Sequence, residues 1–203
     1  MNDITTSNEW DDYASDWDSN DDVRIYAQNA FDSWTSKVAP LISNLPGSQV
    51  LDFGCGTGIL SERLATVCKQ VVAVDTSAAM IEVLRKKILN ADIDNISTLS
   101  CAINAAMINE SADLHSKFDM IVASSVCSFL PDYEKTLGNL SSLLKPGGYF
   151  VQWDWLVDMP VSRIQSAFDA SGLISHNIEE EFALETNNES MRVVMGIGRL
   201  PSD

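Results

Sequence analysis

Basic side chains are scarce in this chain. Thirteen Lys and Arg stand against 29 Asp and Glu among 203 residues, for a formal net charge of −16. Such a surface repels phosphate backbones and anionic headgroups, so neither nucleic acid nor membrane is expected as a partner. The longest basic cluster, Arg85-Lys86-Lys87, falls late in a predicted helix, where positive charge suits the helix dipole. Histidine is scarcer still. His115 and His176 are the only two and lie far apart, so no metal site is expected. Cys55, Cys68, Cys101 and Cys127 form no Cys-x-x-Cys pair. They read as reduced thiols rather than a disulfide frame or a zinc site. No apolar run is long enough to cross a bilayer. The polar start Met1-Asn2-Asp3-Ile4-Thr5-Thr6 is not a secretory signal, and a cytoplasmic location is expected. Internal repeats are absent.

What is present is enough apolar material for a core. Hydrophobic residues make up 45% of the chain, which suits one domain of this length with an added lid. Residues 1–22 are crowded with Asp and Asn, yet Trp10, Tyr13 and Trp17 recur at a spacing that would place them on one helical face. A helix is expected over about 23–45, before the turn signal Pro46-Gly47. Strands and helices then alternate. Strands are expected at 49–53, 70–75, 96–101, 118–124 and 149–153. Helices are expected at 58–68, 77–90 with Ser77 as N-cap, 133–144 and 161–171. The tail changes character: two long strands, 173–183 and 191–199, flank a polar turn. Alternation implies an α/β fold, a doubly wound and mostly parallel sheet with helices on both faces. The adjacent final strands imply an antiparallel hairpin at one edge.

The most telling stretch is Val50-Leu51-Asp52-Phe53-Gly54-Cys55-Gly56-Thr57-Gly58. A buried strand opens through a glycine turn onto a helix, which is a nucleotide-binding device. Dinucleotide enzymes want Gly-x-Gly-x-x-Gly. Here the third glycine comes one residue early, and Ile59 holds the dinucleotide position. Asp52 would also set negative charge beside a pyrophosphate. Both features disfavour a nicotinamide-dependent oxidoreductase, and an acid at position 52 suits a ligand that carries positive charge. Asp75, at the end of the second strand, can accept hydrogen bonds from both hydroxyls of a ribose. The plainer reading of Asp75 is a helix cap.

Val50 through Gly58 resembles motif I of the class I S-adenosylmethionine-dependent methyltransferases. That family's fold is a seven-stranded sheet whose last strand runs antiparallel. The resemblance extends over roughly residues 47–199. It implies S-adenosylmethionine as cofactor and S-adenosylhomocysteine as product. It places Asp52, Gly54, Cys55, Gly56 and Gly58 around the cofactor, and assigns Asp75 and the adjoining Thr76 to the ribose side. Met80 would cover the adenine, though a plain core methionine fits its position too. The family often carries an acid after the third strand to hold the adenine amino group. This chain has Ala102 there, with Ile103 and Asn104 following, so adenine recognition would lean on backbone and packing. Ser124 would face the donor site from the end of the fourth strand. Leu144-Lys145-Pro146-Gly147-Gly148 resembles the family's helix exit and turn before the fifth strand.

The start of the chain, Trp10-Asp11-Asp12-Tyr13-Ala14-Ser15-Asp16-Trp17-Asp18, is similar to the aromatic-acidic segment that folds over the cofactor in many small-molecule methyltransferases. Tyr13 and Trp17 would then help exclude water. The expected division is a helical lid or cap over residues 1–45 and a Rossmann-like cofactor domain over 46–203. Gln152-Trp153-Asp154-Trp155 should point toward the substrate side, unless it packs under the lid. No catalytic base is assigned, since His115 and His176 are both poorly placed. The expected function is methyl transfer to a small-molecule substrate by a monomer or homodimer. The alternative is a regulatory protein that binds the cofactor without turnover.

Overall fold

Alternate residues of one strand set the layers of the molecule. In β1 (Gln49–Phe53), Val50 joins one buried cluster while Leu51 and Phe53 join another. Successive side chains leave opposite faces of a strand, so both faces of β1 are covered, as a parallel sheet requires. A computed structural model describes residues 8–104, 106, 116–186 and 189–202. It continues with β2 (Gln70–Asp75), β3 (Ile96–Ser100), β4 (Phe118–Ser124), β5 (Leu144–Trp155), β6 (Ile174–Thr186) and β7 (Glu189–Arg199). The seven strands lie in the order β3-β2-β1-β4-β5-β7-β6. β7 runs antiparallel to both β5 and β6, and the other pairings are parallel. This is the doubly wound sheet and terminal hairpin expected from the alternation of elements.

Helices α1 (Asp21–Ser33), α2 (Ile59–Ala65) and α3 (Ala78–Asn90) cover one face. They pack Tyr26, Ala30, Leu60, Leu64 and Leu84 with Val50, Val71 and Met120. Helices α4 (Tyr133–Ser141) and α5 (Val161–Ala170) cover the other. They set Leu137, Leu140, Ile164 and Phe168 with Leu51, Val72, Ile121 and Phe150. Side-chain caps start three of the helices. Asn20 accepts from the Asp22 N–H, Ser77 from that of Met80 and Asp132 from that of Lys135. No helix among the described residues is long and apolar enough to cross a membrane.

Three local expectations change. The helix placed at 23–45 begins at Asp21, passes into a π turn at Trp34–Val38 and ends in a 3₁₀ turn at Ala39–Leu41. Pro40 lacks the N–H that an α-helix needs there and clashes with the preceding turn. The segment carrying Trp10, Tyr13 and Trp17 is two 3₁₀ turns, Asp11–Tyr13 and Trp17–Ser19, instead of one helix. Its rings still gather, with Trp10 centred 6.1 Å from both Tyr13 and Trp17. Lastly, β5 starts at Leu144, so the Lys-Pro-Gly-Gly run lies within the strand and not before it. The register shifts between Phe118 and Met120 opposite this run. Such an irregularity is where a sheet tolerates proline.

Candidate active site

The strand order reverses beside β1, whose neighbours β2 and β4 carry their chains away to opposite sides. Loops part at such a switch point and leave a crevice beyond the carboxyl ends of the strands. A cavity of about 630 Å³ fills that crevice, within the range usual for small-molecule sites. It runs across the sheet from Asp75 and Thr76 after β2, past the glycine loop and Ser124, to Trp155 at the end of β5.

The glycine loop is braced from β2. Gly56 N donates to one Asp75 carboxylate oxygen at 2.8 Å, and Ser77 N donates to the other at 2.8 Å. Asp75 is therefore more than a helix cap, since Ser77 itself caps α3. Each oxygen retains a lone pair for a further donor. Burial pushes the Asp75 carboxyl up, against the N–H bonds of Ser77 and Gly56 that favour its charge. Gly56 has φ +54°, and a Cβ there would meet Trp17 Nε1 at 3.5 Å. Gly58 has φ +82°, but its missing side chain serves packing: a Cβ would lie 2.4 Å from Leu84 Cδ1 on α3.

Asp52 lies almost wholly buried at the cavity floor and accepts from Ser61 Oγ at 2.5 Å. Burial pushes its carboxyl up to about 7, the Ser61 hydroxyl opposes the shift, and the charge of Asp75 adds to it. No Lys or Arg among the described residues lining the cavity balances this acid. A carboxyl held above its unfolded value binds its proton more tightly when folded. Its contribution to stability is complete below the unfolded value near 3.8 and is lost as pH rises through about 7. Apo protein should lose on the order of 1 kcal/mol from this group between pH 6 and pH 8. Asp52→Asn should flatten that part of the unfolding-temperature profile. A variant with the wild-type slope would mean that Asp52 is already ionised at pH 6.

The acids of the N-terminal segment act as anchors. Asp18 pairs with Lys87 at 3.0 Å and accepts from the Thr57 hydroxyl, and Lys87 also reaches Glu62 at 2.5 Å. Asp11 accepts from Ser77 Oγ at 2.6 Å and lies at the N-terminus of α3. The Ser77 hydroxyl holds the Asp11 carboxyl below the usual range, an effect that burial opposes. Asn8 Nδ2 donates to Thr76 Oγ1 at 2.8 Å. These contacts seat Trp10 and Trp17 on the cavity wall.

Of the residues singled out from the sequence, Trp17, Asp52, Gly54, Cys55, Gly56, Asp75, Thr76, Met80 and Ser124 come together around this cavity. Four do not reach its wall. Tyr13 is 58% exposed, because its 3₁₀ turn aims it outward. Gly58 lies behind the loop against Leu84. Ala102 is exposed, and Ile103 is drawn into the core with Leu51 and Val72, so Cys101 takes their place at the wall. Near the end of β5 only Trp155 reaches the cavity. Trp153 is buried and donates its indole N–H to Ser33 Oγ at 3.1 Å. Asp154 turns to the opposite face, where it accepts from Ser128 N at 3.2 Å and Gln152 Nε2 at 2.9 Å. His176 lies edge-on to Tyr149, near the amino end of β5 and away from the site. His115 lies outside the described residues.

A family model described as a methyltransferase domain matches residues 24–188. The chain belongs to this methyltransferase family. It is 32% identical over 104 residues to an uncharacterized methyltransferase of Schizosaccharomyces pombe, a match covering 50% of this chain and 37% of that one. A ubiquinone biosynthesis O-methyltransferase of Xanthomonas campestris pv. campestris is 33% identical over 104 residues, 51% of this chain and 41% of its own. The matched stretch thus spans less than half the length of these relatives. A crystal structure of a SAM dependent methyltransferase from Aquifex aeolicus superposes with a TM-score of 0.64 at 18% identity, over 80% of this chain and 88% of that one. At that identity the likeness is one of fold.

Within this family member, sequence reasoning passed over Tyr26, Phe129 and Cys101, all of which line the cavity. Tyr26 stands among the apolar positions of α1, where nothing in the one-dimensional pattern separates a core residue from a wall residue. Its partner Trp155, 5.1 Å away centre to centre, comes from the far end of the chain.

Proposed function

We propose that the protein binds S-adenosylmethionine in this cavity and transfers its methyl group in line to a small-molecule acceptor. The observation that carries the reading is the charge of the wall. Its carboxyl side chains are those of Glu9, Asp22, Asp52 and Asp75, and no Lys, Arg or His stands among the described lining residues. That wall is hostile to a pyrophosphate and receptive to a ligand bearing an ammonium and a sulfonium. When bound, the cofactor supplies an electrophilic methyl group on sulfur. The chain's own residues bind and orient. Asp75 offers its remaining lone pairs to the ribose hydroxyls while it holds the glycine loop, and Met80 packs beside it. Asp52 faces the cationic part. Trp17 lies over Gly56 and keeps water from the site, with residues 1–45 serving as the lid over the cofactor domain of 46–203. Alignment and exclusion of water are what such a displacement chiefly requires.

The test is release of S-adenosylhomocysteine from S-adenosylmethionine with a panel of small acceptors, alongside calorimetric binding of both compounds and of NAD. Binding of S-adenosylmethionine but not NAD, with acceptor-dependent release, is the expected result. Tight binding with no release by any acceptor would instead make the protein a cofactor-binding regulator. Removal of residues 1–20 should depress turnover more than it lowers the unfolding temperature, because the sheet begins at Gln49.

A further inference from the structure

The β5 end of the cavity holds an unused polar atom. Tyr26 is 6% exposed, and its hydroxyl oxygen is fully buried with no hydrogen-bond partner. Ser125 lies close enough to favour the phenolate slightly, yet neither its hydroxyl nor its backbone meets hydrogen-bond geometry with Tyr26. Orphaned buried hydroxyls are uncommon, and leaving one unmet costs stability. Beside it Tyr26 meets Trp155 edge-on at 5.1 Å, and elsewhere on the wall of the same cavity Trp10 meets Phe129 edge-on at 5.1 Å.

Resting on the methyltransferase reading, we propose that this end of the cavity takes an amine, and that Tyr26 Oη accepts a hydrogen bond from the amine N–H and so aims the nitrogen lone pair at the methyl group. Three features select an amine over a hydroxyl. An alcohol or phenol must lose its proton as it attacks, and the described wall offers no His or Lys to take it; carboxylates are ordinarily weaker bases, and Asp52 and Asp75 are already engaged by Ser61 Oγ and by the Gly56 and Ser77 N–H groups. Burial first, then the charges of Asp154 and Cys127, push the Tyr26 phenol well above its ordinary range, so it stays protonated and is no base. A neutral amine needs no base before attack. Its lone pair forms the N–C bond as the C–S bond breaks, and the bonding pair returns to sulfur, which becomes a thioether. The positive charge passes from sulfur to nitrogen, and any surplus ammonium proton leaves to water afterwards. Aromatic faces and carboxylates favour that charge at both ends of the transfer.

The experiment uses the full-length protein. S-Adenosylhomocysteine affinity is measured first, by calorimetry, for wild type and Tyr26→Phe. Benzylamine and N-methylbenzylamine are then compared with benzyl alcohol and phenol as acceptors. The expected result is turnover of the amines with kcat/KM at least ~10-fold above that of the hydroxyl compounds. Tyr26→Phe should raise the amine KM by ~10-fold or more, leave S-adenosylhomocysteine affinity within about twofold, and raise or preserve the unfolding temperature. A purely structural hydroxyl would do the reverse, lowering the unfolding temperature with KM unmoved, and that outcome overturns the proposal. So does equal or better turnover of phenol. If no acceptor is turned over, amine binding to the S-adenosylhomocysteine-loaded protein decides, and its absence also overturns the proposal while the cofactor reading stands. A protein that binds neither cofactor form fails at the earlier reading and takes this one with it.

Discussion

Gly56→Val should abolish S-adenosylmethionine binding, with a loss of at least ~100-fold in affinity, and leave a folded protein. The argument rests on three properties of one position. At φ +54° the backbone is left-handed, and a β-branched residue is strained there by about 1–2 kcal/mol. A Cβ at Gly56 finds ordinary contact distance, 3.5 Å, to Trp17 Nε1, but the two γ-methyl groups beyond it must enter the cavity or displace the indole. Any shift of the loop also weakens the Gly56 N–H bond to Asp75, which stands at 2.8 Å. Returning a relaxed loop to this conformation on binding costs roughly 5- to 30-fold, and steric blockade of the ligand supplies the rest. Gly58→Ala makes the contrast. Its Cβ would lie 2.4 Å from Leu84 Cδ1 in the core between α2 and α3, so its principal cost is overpacking, about 1–3 kcal/mol of stability. Calorimetry and thermal unfolding on the two variants separate the roles. Gly56→Val binding within threefold of wild type would remove the glycine loop from the site.

Much of this was legible in one dimension, for a physical reason. β1, β2 and β4 are buried on both faces, so each reads as an apolar run bounded by turn residues, and the register of Val50 with Val71 and Met120 follows from packing those runs side by side. The glycine loop was legible because positive φ at alternate positions restricts the residue type. Asp75 was placed correctly at the end of β2, but its grip on Gly56 N joins residues on different strands that no local pattern connects. The end of the cavity proposed for the acceptor was least legible. Tyr26, Ser125, Phe129 and Trp155 come from α1, the turn after β4 and the end of β5. Tyr26, Phe129 and Trp155 read in sequence as core residues and Ser125 as a strand end, and only the crossing of elements makes them a wall. Gln152-Trp153-Asp154-Trp155 shows the same limit, since strand alternation divides these side chains between α1 and the opposite face.

Asp75→Ala should weaken S-adenosylmethionine binding by roughly 30- to 1000-fold, the equivalent of about 2–4 kcal/mol for hydrogen bonds to a charged acceptor. The carboxylate performs two tasks, and the substitution removes both. It strands the Gly56 and Ser77 N–H groups that donate to it at 2.8 Å each, and it removes the acceptors proposed for the ribose. Apo stability should therefore fall as well, because a buried donor without a partner is costly. The tasks separate when the ligand is altered in parallel. Wild type should prefer S-adenosylhomocysteine to its 2′-deoxy analogue by about tenfold, the worth of one such bond. Asp75→Ala should bind the two compounds about equally, since the hydroxyl no longer meets its acceptor, and the cycle of protein and ligand changes then reports the coupling alone. If the variant keeps the wild-type preference, Asp75 only braces the glycine loop, and the ribose must be read from elsewhere on the wall, with Thr76 the nearest hydroxyl in sequence.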